Sequence, residues 1–159
     1  MFGFFAKSQV IEFKSPVNGS AAPLASVPDK VFASKMLGDG MAFEPREGII
    51  YAPVSGVIDS VFPTKHAIGI KTKEGLKVII HIGIDTVNLK GNGFESLVHK
   101  DQTVKIGDKL MTFDIKLLNA KAKSLIIPVI ITNTDKVRDI TFRYGEVNKE
   151  STVMRVKLK

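Results

Sequence analysis

The chain reads as an all-β protein, a sandwich or barrel of short antiparallel strands. Two observations predict this. Turn signals recur at short intervals, at Asn18-Gly19, Gly38-Asp39-Gly40, Ser55-Gly56, Glu74-Gly75, Lys90-Gly91-Asn92-Gly93 and Ile106-Gly107-Asp108. Between them lie short segments rich in Val, Ile and Phe, which suit a pleated, half-buried surface. In order these are residues 48–51, 56–62, 67–71, 76–84, 109–113 and 126–132. Helical patterning is confined to short pieces, residues 115–123 and a single turn after Pro28 across 29–36. Gly38 and Gly40 lie close together, but the chain lacks G-x-x-x-x-G-K-[ST] and no long helix follows, so a β-turn is read there rather than a phosphate cradle.

The 159 residues suffice for one domain with a real core, read as a single unit over 16–159 after a tail or edge segment over 1–15. Hydrophobic residues make up 44% and charged residues 25%, the balance of a soluble globular chain. No apolar run approaches the roughly 20 residues of a membrane helix. The N-terminus MFGFFAKSQV lacks the parts of a signal peptide, so a cytoplasmic protein is expected. The absence of cysteine excludes disulfides, thiolate metal sites and a cysteine nucleophile in this chain. A net charge of +7 suits an acidic partner, yet the lysines are scattered and no stripe joins Arg to aromatics, which weighs against nucleic acid.

The chemistry concentrates in FPTKHAIGIKTKEGLKVIIHIGID, residues 62–85. Two strands flank a turn at Lys73-Glu74-Gly75. A hairpin closed around Lys73-Glu74 pairs Lys71 with Leu76, Ile68 with Ile79 and His66 with His81. The two imidazoles then face each other across the hairpin. A three-residue loop with a bulge at Gly75 shifts the pairing by one residue. Alternation places Ile79, His81, Gly83 and Asp85 on one face and Ile80, Ile82 and Ile84 on the core face. Thr64, Ile68 and Ile70 alternate with His66. Neutral imidazole is a nucleophile near pH 7, and a second imidazole beside it can hold a transferring phosphoryl oxygen. An apolar rim suits protein docking and keeps water from a labile phosphoramidate. The same pair also fits two ligands of a zinc site, with Asp85 as a third, or plain packing. Pattern alone does not separate these. His99, in polar VHKDQ, reads as a surface residue. A lipoyl- or biotinyl-type carrier would need a lysine at an exposed hairpin tip, and Lys35-Met36 has no such hairpin around it.

The segments VPDKVFASKMLGDGMAF, YAPVSGVI, FPTKHAIGI, HIGIDTVNLKGNGFE, residues 104–114 and IIPVIITN occur in this order. Together they closely resemble the glucose-family IIA component of the bacterial phosphoenolpyruvate-dependent sugar phosphotransferase system. The resemblance spans roughly residues 16 to 159. It implies a β-sandwich of the flattened-barrel kind, a barrel-sandwich hybrid. It implies that His81 is the phospho-acceptor, modified on Nε2, and that His66 supports the phosphoryl group without carrying it. Thr64 matches the residue that orients His66, and Gly83 the carbonyl that accepts the Nδ1–H of His81. Asp85 matches an acidic residue at the site edge. Val31, Phe32, Met36, Leu37, Phe62, Ile68 and Ile79 match the apolar ring that meets partners. The implied partners are the histidine phosphocarrier HPr as donor and a cysteine of the IIB domain of a sugar permease as acceptor. No cofactor is implied, and no obligatory metal, although His66 and His81 are able to capture zinc adventitiously. Regulation of other transporters or kinases belongs to only part of the family. Lys65 stands where some relatives carry a small polar residue. The tail departs most from the family. Phe2, Phe4, Phe5, Val10, Ile11 and Phe13 with Lys7 and Lys14 suit a short membrane-surface helix, whereas residues 9–14 read as an edge strand.

Overall fold

The computed structural model describes residues 9–159. Most of the membrane-surface reading of the tail, with Phe2, Phe4 and Phe5, lies outside the described residues. In chain order the strands are β1 (Val10–Lys14), β2 (Gly19–Pro23), β3 (Asp39–Pro45), β4 (Ile49–Tyr51), β5 (Gly56–Val61), β6 (Ala67–Lys71) and β7 (Lys77–His81). There follow β8 (Phe94–Ser96), β9 (Thr103–Val104), β10 (Lys109–Phe113), β11 (Ile127–Ile131), β12 (Val137–Phe142), β13 (Gly145–Val147) and β14 (Thr152–Leu158). The α-helices are short, α1 (Lys30–Ala33) and α2 (Ile115–Lys121). The all-β class and the short helical turns are thus as the sequence predicts.

The strands form an eight-stranded sheet, β13-β2-β3-β11-β7-β6-β5-β9, and two three-stranded sheets, β1-β14-β12 and β4-β10-β8. The sheets are open rather than closed into one barrel. β1 takes an edge of its sheet and pairs antiparallel with β14. The main core is shared by all three sheets and holds Phe13, Ile50, Ile58, Ile68, Ile80, Ile82, Leu110 and Val156.

β2 and β3 escape sequence reasoning because GSAAP and DGMAFEP carry almost none of the β-branched pattern. Their small residues answer to close packing instead. A Cβ at Gly40 would lie 1.9 Å from the Val129 carbonyl oxygen of β11.

Two expectations for the central hairpin need correction. β6 pairs with β7 through Ala67–His81, Ile68–Ile80, Gly69–Ile79 and Lys71–Lys77. The register is therefore the one shifted by one residue. The Thr72 hydroxyl accepts from the Leu76 N–H (3.0 Å), and Gly75 adopts a positive φ of 96°, so the loop takes the longer form. The shift turns Ile68 onto the main core face, where it is fully buried, and removes it from any surface ring. Ile70 is buried there with it. In addition, β7 ends at His81 rather than running to Ile84. Gly83 (φ 77°) and Asp85 (φ 62°) are left-handed, so the alternation does not extend to them.

Every residue of β11 is buried, because this strand is covered on both faces. Ile127, Val129 and Ile131 enter the main core, while Ile126 and Ile130 join a second cluster with Leu24, Val27, Phe32, Ala42 and Ile84. The connection from β2 to β3 supplies that cover. Its helix α1 starts where the Asp29 carboxylate accepts from the Val31 N–H (2.8 Å). Phe32 is then pressed into the second cluster, a burial that contributes about 1.5–3 kcal/mol.

Candidate functional site

The site forms where the β5–β6 turn meets the end of β7. The Lys65 N–H donates to the Phe62 carbonyl (2.7 Å) and the Phe62 N–H to the Ala67 carbonyl (3.0 Å). Lys65 sits at φ 59°, which breaks the alternation just before β6. His66 therefore reaches the His81 ring even though His81 pairs with Ala67. The ring centroids are 4.9 Å apart with planes at 75°. Phe32 flanks His81 at 5.0 Å, and Phe62 meets His66 edge-on at 5.4 Å. Four rings thus run Phe32, His81, His66, Phe62, within the range of favourable aromatic contact.

Each imidazole has its own partner. The His81 Nδ1 lies 2.7 Å from the Gly83 carbonyl oxygen. A carbonyl only accepts, so Nδ1 carries the proton and the Nε2 of the neutral ring keeps its lone pair. The His66 Nδ1 lies 2.5 Å from the Thr64 hydroxyl. Glycine is strongly favoured at residue 83: besides its positive φ, a Cβ there would lie 2.6 Å from the Thr86 Cγ2.

Both histidines are held below the ordinary pKa near 6.5. For His66 burial is the larger cause and the neighbouring His81 the second. For His81 burial dominates, opposed by the Gly83 hydrogen bond and by the charges of Asp29 and Asp85. At pH 7 the site holds two neutral imidazoles, one with a lone pair fixed on Nε2.

The surroundings are apolar and partly open. Val31, Met36 and Leu37 are exposed at 41%, 75% and 46%, while Phe62 and Ile79 are half-buried. Phe32 is buried against His81 rather than presented to solvent. Asp85 is exposed. Among the described residues no group of three His, Asp or Glu side chains could hold a metal, so Asp85 does not complete a zinc set with the histidines. No helix among them is long and apolar enough to cross a membrane. A cleft of about 820 Å³ lies at the other end of the hairpin, lined by Val10, Val57, Lys73 and Val104 among others, and the histidines do not line it.

Sequence reasoning missed Asp29. It caps the helix that lays Phe32 on His81, and its charge favours protonated His81. The signal was available, since an Asp just before Lys30-Val31-Phe32 is a helix N-cap pattern.

Paired neutral imidazoles at an apolar-rimmed surface of an all-β sandwich define a group-transfer or ligand-holding module, and comparison with known proteins resolves its family. Residues 11–137 match the family model of the phosphoenolpyruvate-dependent sugar phosphotransferase system, EIIA 1. A glucose-specific EIIA component of Bacillus cereus is 46% identical over 161 aligned positions, covering 100% of this chain and 98% of that protein. One from Halalkalibacterium halodurans is 50% identical over 123 positions, covering 77% and 71%. The solved structure of glucose permease IIA from Mycoplasma capricolum superposes with a TM-score of 0.90 at 42% identity, covering 98% of this chain and 99% of that one. The chain belongs to the EIIA 1 family. It is a phosphocarrier component of the sugar phosphotransferase system.

Proposed function

We propose that His81 carries the phosphoryl group on Nε2. The observation behind this reading is the 2.7 Å contact between His81 Nδ1 and the Gly83 carbonyl, which leaves Nε2 as the nucleophile. The phosphohistidine of HPr is the donor: its N–P bond breaks as the bond from His81 Nε2 to phosphorus forms. The His81 ring gains positive charge in that step. The Gly83 carbonyl and the carboxylates of Asp29 and Asp85 favour the charged ring. That charge also makes the ring a good leaving group for onward transfer to a cysteine thiolate of a permease IIB domain.

His66 serves as the supporting imidazole. With the Thr64 hydroxyl donating to its Nδ1, its Nε2–H donates to a phosphoryl oxygen. The exposed Val31, Met36 and Leu37 with half-buried Phe62 and Ile79 form the docking rim, which excludes water from the phosphoramidate. Asp85 meets cationic side chains of the donor. The chain works on the cytoplasmic side, where both partners act, and needs no cofactor. The relatives are named for glucose, and glucose is the first sugar to test.

The test is incubation with phosphoenolpyruvate, the first enzyme of the system and HPr, followed by intact mass measurement. One acid-labile phosphoryl group is expected on the wild type and none on His81→Gln. Full acceptance by His81→Gln contradicts the reading.

A further inference from the structure

The buried polar side chains among the described residues are Ser15, His66, Thr72 and Thr86. Ser15 closes a local turn onto Val17, and Thr72 closes the β6–β7 loop. Thr86 closes the turn that follows β7, the turn that carries Gly83. It is fully buried, and its hydroxyl donates to the Ile82 carbonyl at 2.6 Å.

Ile82 is the node that joins the two imidazoles. Its N–H donates to the His66 carbonyl at 2.7 Å, and its carbonyl is the one that Thr86 holds. The next residue, Gly83, supplies the carbonyl that takes the His81 Nδ1–H. The Thr86 methyl closes on the Cα of that glycine so tightly that no Cβ fits. Downstream, the Ile84 N–H donates to the Ser124 carbonyl (2.9 Å) and the Lys123 N–H to the Ile84 carbonyl (3.0 Å). The turn is thus anchored after Gly83 by backbone, and before it by the Ile82 N–H on the His66 carbonyl and by the Thr86 hydroxyl on the Ile82 carbonyl.

We propose that Thr86 is a positioning residue for phosphoryl transfer: its hydroxyl fixes the 82–83 peptide so that the Gly83 carbonyl holds His81 in the Nδ1–H tautomer beside His66. The contribution to transfer rests on the reading of His81 as phospho-acceptor. The positioning itself does not. Removing the hydroxyl frees the Ile82 carbonyl in a dry environment, and the peptide rotates to recover a partner. The Gly83 carbonyl lies in the next peptide, whose Ile84 N–H stays on Ser124, and it is re-aimed through the backbone torsions of Gly83, which as a glycine yields readily. A 1 Å misplacement costs on the order of 100-fold in rate, and a reoriented carbonyl with the ring still flanked by Phe32 costs less, about tenfold.

The experiment reads the tautomer directly, by long-range ¹H–¹⁵N NMR of the imidazoles in the unphosphorylated full-length chain. Wild type and Thr86→Ser are expected to show His81 as Nδ1–H at neutral pH. Thr86→Val, which keeps the methyl and loses the hydroxyl, is expected to move a measurable share of His81 to Nε2–H and to slow acceptance from phospho-HPr about tenfold, with Thr86→Ser restoring both. A Thr86→Val protein whose His81 remains wholly Nδ1–H overturns the proposal, whatever its stability. If Thr86→Val does not fold, Thr86→Ser decides, since loss of the Nδ1–H signature there removes the role from the hydroxyl. The tautomer is measured without phosphoryl transfer, so failure of His81 as acceptor is a separate result.

Discussion

The two imidazoles touch ring to ring, yet the chain holds them in different ways. His81 is fixed by a backbone carbonyl in a turn where any side chain is strained at residue 83. His66 is buried and leans on a side-chain hydroxyl. A carbonyl partner permits one neutral tautomer, whereas a hydroxyl can donate or accept. The fixed ring therefore suits the role of acceptor proposed for it, in which one lone pair must always point the same way. The adaptable ring suits the supporting role proposed for His66.

The largest expected effect that breaks this contrast comes from His66→Gln. An amide can donate a hydrogen bond but cannot take up a proton as charge builds. Acceptance from phospho-HPr is expected to stay within a few-fold of wild type, while transfer to the IIB cysteine falls on the order of 100-fold. Equal loss in both half-reactions, measured separately in rapid-quench assays, would show that the two rings share one role.

Gly83→Ala strikes the fixed side. The positive φ of 77° and the 2.6 Å approach to Thr86 Cγ2 make any side chain strained there. A loss of about 1–3 kcal/mol in denaturant unfolding is expected, together with loss of the pure Nδ1–H state of His81. An unchanged unfolding midpoint and an unchanged tautomer would remove the glycine requirement.

The smallest effect is on acid stability. Both histidines have folded-state pKa values below the ordinary value near 6.5. Above that value both folded and unfolded chains are neutral at these rings, and nothing is lost. As pH falls below it, the unfolded chain binds protons first, so stability declines until the folded values are passed. The thermal midpoint of the wild type is expected to hold from pH 8 to 7 and to fall below pH 6.5 more steeply than that of a His66→Gln, His81→Gln double variant. Parallel curves would show that the pair carries no such penalty.

The contrast also explains what was legible in the sequence. Turn residues and short apolar segments marked β4, β5, β6, β10 and β11, because those strands bury apolar side chains between closely spaced turns. β2 and β3 were hidden because small residues there serve backbone approach rather than side-chain packing. The proximity of His66 and His81 could be read from one short hairpin, but its register could not, since the turn admits two loop lengths that differ by one residue. The same slip misplaced Ile68 at the surface. Asp29 and Thr86 act through caps and turns that join segments far from the strand pattern, so periodicity had no hold on them. The choice of phosphoryl chemistry over metal came from family resemblance, not from spacing.

The measurement closest to the central claim is the regiochemistry of the phosphorylated protein. Phosphorylation from HPr followed by ³¹P and ¹⁵N NMR should place the group on Nε2 of His81, with Nδ1 still protonated toward Gly83. A phosphoryl group on His81 Nδ1, or on His66, would contradict the division of labour that the two hydrogen bonds imply.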